Sequence, residues 1–114
     1  MKKTEKIISD FAKELCTRGI ENVMISLGEQ GALLATDRTC VAATPPAVNA
    51  LSTIGAGDST IAGFIAAYCE SKDDMEMLRT AVSYGTAACL RSGTTPPTQA
   101  DVAEIYKNVK IQTM

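Results

Sequence analysis

A chain of 114 residues has room for one domain, and 46% hydrophobic against 21% charged residues is the balance of a folded chain, not a disordered one. It contains no histidine, which excludes a Ser–His–Asp triad, a Cys–His nucleophile and any metal site built on imidazole. Eleven basic residues against thirteen acidic ones leave a net charge of −2, so nothing draws the chain as a whole to nucleic acid.

Thr4 is placed to cap a first helix, whose apolar positions Ile7, Ile8, Phe11, Ala12, Leu15 and Cys16 recur at helical spacing. Gly19 is its stop. The apolar run from Val23 to Leu27 reads as a buried strand. Gly28 to Gly31 makes a turn, and Ala32 to Ala35 a second strand. Asp37-Arg38 turns the chain into a third, Thr39 to Ala43. Thr44-Pro45-Pro46 breaks regular structure, and Val48 to Leu51 reads as a short strand leading into Gly55-Ala56-Gly57-Asp58.

From Asp58 a helix is expected, with Ile61, Phe64, Ile65, Tyr68 and Cys69 as its apolar face and Ala62, Gly63 and Ala66 allowing close packing. A third helix opens with Asp73 and Glu76 spaced as a capping box and turns Leu78, Ala81, Val82 and Gly85 inward. Ser92 to Pro97 is a loop. Thr98 and Asp101 open a last helix carrying Val102, Ile105 and Tyr106. This order is that of a layered α/β domain spanning residues 1–114.

Cys16, Cys40, Cys69 and Cys89 are scattered among small and apolar residues with no C-x-x-C pair, as free thiols of a core would be in a reducing compartment. The basic start Met1-Lys2-Lys3 is followed by Glu5, Lys6 and Asp10, which interrupt any secretory apolar segment. No stretch is long enough to cross a bilayer, and a cytoplasmic location without membrane contact is the expectation.

Gly55 to Asp58 carries the chemistry. A small-residue turn before a helix offers unpaired amides at the positive end of the helix dipole, a natural seat for an anion. The aspartate repels a phosphate, and has a use there if it takes a proton from a hydroxyl while the amides hold a phosphoryl group. Spacing alone leaves a second reading open, in which Asp58 is an N-cap and the glycines a tight turn. Neither a Walker A pattern nor a complete G-x-G-x-x-G fingerprint occurs.

Ser52 to Ile65, with its T-I-G-A-G-D-S-T core, closely resembles the C-terminal signature of the PfkB (ribokinase-like) carbohydrate kinases. Ser26 to Leu34 resembles the family's S-L-G-x-x-G-A segment, and Tyr84 to Ala88 with Ser92-Gly93-Thr94 its helix and loop beside the nucleotide. The resemblance implies the C-terminal part of a three-layer α/β/α fold, with the family's lid and N-terminal strands absent. It implies ATP-dependent phosphoryl transfer, with Asp58 as catalytic base and the Gly55, Ala56 and Gly57 amides as anion hole. Ser26, Leu27, Gly28, Glu29, Gln30 and Gly31 would lie along the nucleotide, together with Gly57, Asp58, Gly85 and Ala88.

Ser59 after the aspartate and Ala62-Gly63-Phe64 resemble the branch acting on sugar phosphates. Fructose 1-phosphate, converted to fructose 1,6-bisphosphate, is the first choice of substrate, with tagatose 6-phosphate and fructose 6-phosphate as alternatives. The family's Asn-x-x-Glu motif, associated with Mg2+, has no counterpart here, so no metal ligand is expected in this chain. Arg91 and the lysines read as solvated charges. A chain without a sugar-binding half is expected to have little or no activity alone. Its orphan strand edge invites dimerisation or aggregation, so a homodimer or a missing N-terminal portion is the expected partner. A non-catalytic nucleotide-binding fragment is the competing function.

Overall fold

The computed structural model describes residues 3–92 and 95–114; Met1, Lys2, Gly93 and Thr94, and with them part of the expected basic start and of the Ser92–Pro97 loop, lie outside the described residues. The apolar runs pair as an antiparallel sheet of order β1-β2-β3-β4, formed by Asn22–Ser26, Ala32–Thr36, Cys40–Thr44 and Lys110–Thr113. β2 is buried throughout. Its alternating side chains face two cores: Leu34, with Ala32, Val41 and Ala43, on one side, and Leu33, with Ala35 and Cys40, on the other.

Helix α1 (Lys3–Thr17) covers the second face through Ala12, Ile8 and Cys16. The first face is covered by α3 (Asp74–Ala88), flanked by α2 (Ala56–Cys69) and α4 (Gln99–Lys107). Three layers result, helix on sheet on helix, as the resemblance implied.

Local signals placed most elements. Asp73 caps α3 by accepting from the Glu76 amide at 2.8 Å, and Thr98 and Asp101 form a reciprocal capping box at α4. Several expectations are corrected. Thr4 lies inside α1, not at its cap. Val48 to Leu51 forms no strand; its backbone is tied instead to the end of α3, where the Cys89 carbonyl accepts from Leu51 at 2.8 Å. The Val23 to Leu27 strand is a half-buried edge, because among the described residues no strand pairs with its outer side.

α2 begins at Ala56 with Gly55 as its N-cap, so Asp58 sits in the first turn and is not the cap. Its large apolar side chains Ile61, Ile65 and Tyr68 are over half exposed, while Gly63 and Ala67 make the buried contact. Small residues win that place because the two helices pack closely: a Cβ on Gly63 would meet the Tyr84 ring at 2.9 Å. Ile7 and Phe11 are likewise exposed on α1, and Cys69 is exposed rather than in the core. Arg91 is not a solvated charge: its guanidinium pairs with Asp101, with Nη2 at 2.6 Å. β4 had no sequence signal beyond the single pair Val109 and Ile111, and it forms because β3 offers an open edge.

Candidate functional site

Two glycines shape the turns at this end of the sheet. At Gly31, φ of +99° and ψ of −132° suit only a residue without Cβ, and a Cβ there would overlap the Ala43 carbonyl oxygen. The short 3-10 turn Gly28–Gln30 closes against it, with the Leu27 amide donating to the Gly31 carbonyl at 2.7 Å. Gly55 adopts the left-handed conformation, φ +81°, that swings the chain into α2. The first turn is closed by the Ser59 amide donating to the Gly55 carbonyl at 2.9 Å.

The two turns and α3 meet around one cavity of about 670 Å³. Ser26, Gly28, Glu29 and Gly31 line it from the β1–β2 turn, Ala56, Gly57 and Thr60 from α2, and Val82, Gly85 and Thr86 from α3. Pro45 to Val48 closes a further wall. Three segments far apart in sequence thus surround one volume, with the N-terminus of a fourteen-residue helix opening into it.

Some expected residues stand elsewhere. Leu27, Gln30, Gly55 and Ala88 do not line the cavity; Ala88 is buried in the α3 core. Asp58 is exposed, follows the lining residue Gly57, and has no hydrogen bond or ion pair among the described residues. The Ala56 amide donates to the Thr53 carbonyl at 3.2 Å, whereas the amides of Gly55, Gly57 and Asp58 have no partner among the described residues. Free donors at the positive end of a helix can hold a phosphoryl oxygen.

The residues that sequence reasoning missed are Pro45 to Val48, Ala50, Thr53, Thr60, Val82 and Cys89. The Pro-Pro pair signalled only a break, and Thr60 shows its place through contact: its hydroxyl donates to the Ala56 carbonyl at 2.9 Å and occupies the notch left by Gly85. Burial pushes the Cys89 thiol up from its ordinary value, which keeps it a neutral wall group. Among the described residues no three His, Cys, Asp or Glu groups come together as a metal cluster.

Layers, glycine turn and helix order place the chain in the ribokinase-like class of α/β/α folds. It belongs to the pfkB family of carbohydrate kinases, whose pattern it matches over residues 2–101. It is similar to the 1-phosphofructokinase of Haloferax volcanii, with 36% identity over 111 residues, 97% of this chain and 36% of that protein. With the ATP-dependent 6-phosphofructokinase isozyme 2 of Escherichia coli it shares 38% identity over 96 residues, 83% of this chain and 31% of that one. The crystal structure of phosphofructokinase-2 from Escherichia coli in complex with potassium superposes with a TM-score of 0.85 at 36% identity, covering 88% of this chain and 33% of that chain. The chain therefore spans about a third of the length of the relatives it matches. No helix among the described residues is long and apolar enough to cross a membrane.

Proposed function

We propose that this chain supplies the ATP-binding, base-bearing portion of a sugar-phosphate kinase. The observation that carries the reading is the convergence of the Ser26–Gly31 turn, the first turn of α2 and Gly85 of α3 on one cavity. Small residues there let a nucleotide approach the backbone closely. The free Gly55 and Gly57 amides, with that of Asp58, would hold the transferring phosphoryl group. Asp58, one residue along, would take the proton of the sugar hydroxyl as its oxygen attacks the γ-phosphorus of ATP. The bond to ADP breaks and a phosphate ester forms.

Fructose 1-phosphate is the first acceptor to test, as the name of the Haloferax relative suggests; fructose 6-phosphate, suggested by the Escherichia coli enzyme, and tagatose 6-phosphate follow. Mg2+ neutralises charge in such transfers, and no step is assigned to it through this chain's residues.

The test has two readouts. A fluorescent ATP analogue titrated against the chain reports binding. Coupled ADP release, with the N-terminal portion of the Escherichia coli relative supplied separately, reports turnover. Asp58→Asn is expected to cut turnover at least about a hundredfold while leaving nucleotide affinity nearly unchanged, the usual weight of a general base. Unchanged turnover in Asp58→Asn removes the base, and failure of the parent chain to bind nucleotide removes the whole reading.

A further inference from the structure

Sulfur gathers at one place in this chain, apart from the cavity of the glycine turns. Cys40 opens β3 opposite Ala35, and the pairing of β3 with β4 runs one step past Val41–Thr113 to set Met114 opposite Cys40. The Met114 amide donates to the Cys40 carbonyl at 2.8 Å. Directly opposed residues of an antiparallel pair share a face, with Cβ atoms about 4.5–5.5 Å apart. Here that face is the one under α1. Cys16 lies on α1 one turn beyond Ala12, which is wholly buried in the same core as Leu33, Ala35 and Cys40. Cys16 and Met114 both pack on that core.

The three sulfur residues also line one hollow of about 530 Å³ between α1, β3 and β4, and Met75 adds a further thioether to its wall. No residue of β1 lines it, and it shares no residue with the cavity of the glycine turns. Lys13 and Arg38 bring positive charge to the wall, and Asp37 is paired with Arg38 at 3.2 Å. Burial pushes the Cys40 thiol up against the pull of the Lys13 ammonium, so Cys40 stays a neutral thiol until a cation displaces its proton.

We propose that this hollow binds a soft monovalent metal ion of the copper(I) class, with the Cys16 and Cys40 sulfurs as thiolate ligands and the Met114 thioether as the third donor. Soft sulfur donors select such ions. Uptake exchanges two thiol protons for one cation: two S–H bonds break, two metal–thiolate bonds form, both protons pass to solvent and no electron is transferred. The thiolate complex carries one negative charge, which Lys13 and Arg38 offset. A tetrahedral divalent site is not built here, since among the described residues no three His, Cys, Asp or Glu groups come together. The proposal stands independently of the kinase reading.

Anaerobic titration of the reduced full chain with Cu(I), in competition with a chromogenic Cu(I) chelator, tests it. The expected result is one ion per chain with two protons released, and an X-ray absorption spectrum showing a shell of sulfur only. Cys16→Ser and Met114→Leu, both at half-buried positions, should each weaken binding at least about tenfold with far-UV dichroism unchanged. Cys69→Ser, at the exposed thiol, should leave binding as it is. The spectrum and the proton count need only the parent chain, so they decide even where a variant fails to fold. A parent chain that takes up no ion overturns the proposal, as does a shell holding oxygen or nitrogen, or uptake without proton release. Binding that survives Cys16→Ser, or that Cys69→Ser weakens equally, overturns it too.

Discussion

Replacing Gly31 with alanine tests the geometry that opens the cavity. The residue's φ of +99° lies where L side chains are strained, a cost of about 1–3 kcal/mol. Its new methyl would also overlap the Ala43 carbonyl oxygen and press on Pro45 Cδ at 3.0 Å. The carbonyl belongs to β3 backbone at the Ala32–Ala43 pair, so relief requires the strand end to retreat by on the order of 1 Å. Together these amount to about 3–5 kcal/mol, a large part of the ~5–15 kcal/mol that holds a domain folded. At about 4–8 °C per kcal/mol, the midpoint of thermal unfolding should fall by roughly 12 °C or more.

Gly28 supplies the control, since its φ is +62° and nothing stands within 4 Å of its missing Cβ. Gly28→Ala should cost only about 1 kcal/mol. Thermal and urea unfolding by circular dichroism measure both. Equal losses for the two variants, or a Gly31→Ala protein as stable as the parent, would refute the overlap argument.

The buried Asp74 carboxyl links α3 to the β2–β3 turn. Burial alone would push its pKa up, but hydrogen bonds from Arg38 at 2.9 Å and from Thr36 and Thr39 at 3.0 Å outweigh this and hold it below the ordinary carboxylate range. A depressed folded pKa gives stability that is fully present above the unfolded value of about 3.9 and lost as pH falls through the folded one. Asp74→Asn should therefore cost about 1–2 kcal/mol in urea unfolding at pH 7, and the gap should narrow as the pH falls below the unfolded value of about 3.9. Gly85→Ala should cost about 1–2 kcal/mol through its overlap with Thr60 Oγ1, and Thr60→Ala in the same chain should recover most of that, a coupling readable in a double-mutant cycle. Arg79→Met should cost about 1–3 kcal/mol: the guanidinium donates to the Tyr106 and Val109 carbonyls at 3.0 and 2.7 Å and lies 5.3 Å over the Tyr106 ring, so its loss frees the end of α4. The same assay on that variant checks it.

Much of this protein is local, and the local part is legible in the residues. Capping pairs at Asp73 and Thr98, glycines where φ turns positive and alternation along the strands all act within a few positions of themselves. The T-I-G-A-G-D-S-T segment, with Ser26–Gly31 upstream and Tyr84–Ala88 downstream, points to the family for the same reason: each piece is contiguous.

What depended on neighbours was decided only in three dimensions. Periodicity marks Ile61, Ile65 and Tyr68 as an apolar face, yet it does not say what that face meets, and here the contact with α3 goes to Gly63 and Ala67. Which of the α2 amides remain free depends on where the Thr53 carbonyl falls. The walls at Pro45–Val48, Thr60 and Val82 have no common motif and become one surface through the crossing of α2 and α3. Length, absent histidine and near-neutral charge set the class of chemistry open to the chain. Packing selected the residues around the cavity, because a side chain's neighbours are a property of the whole fold.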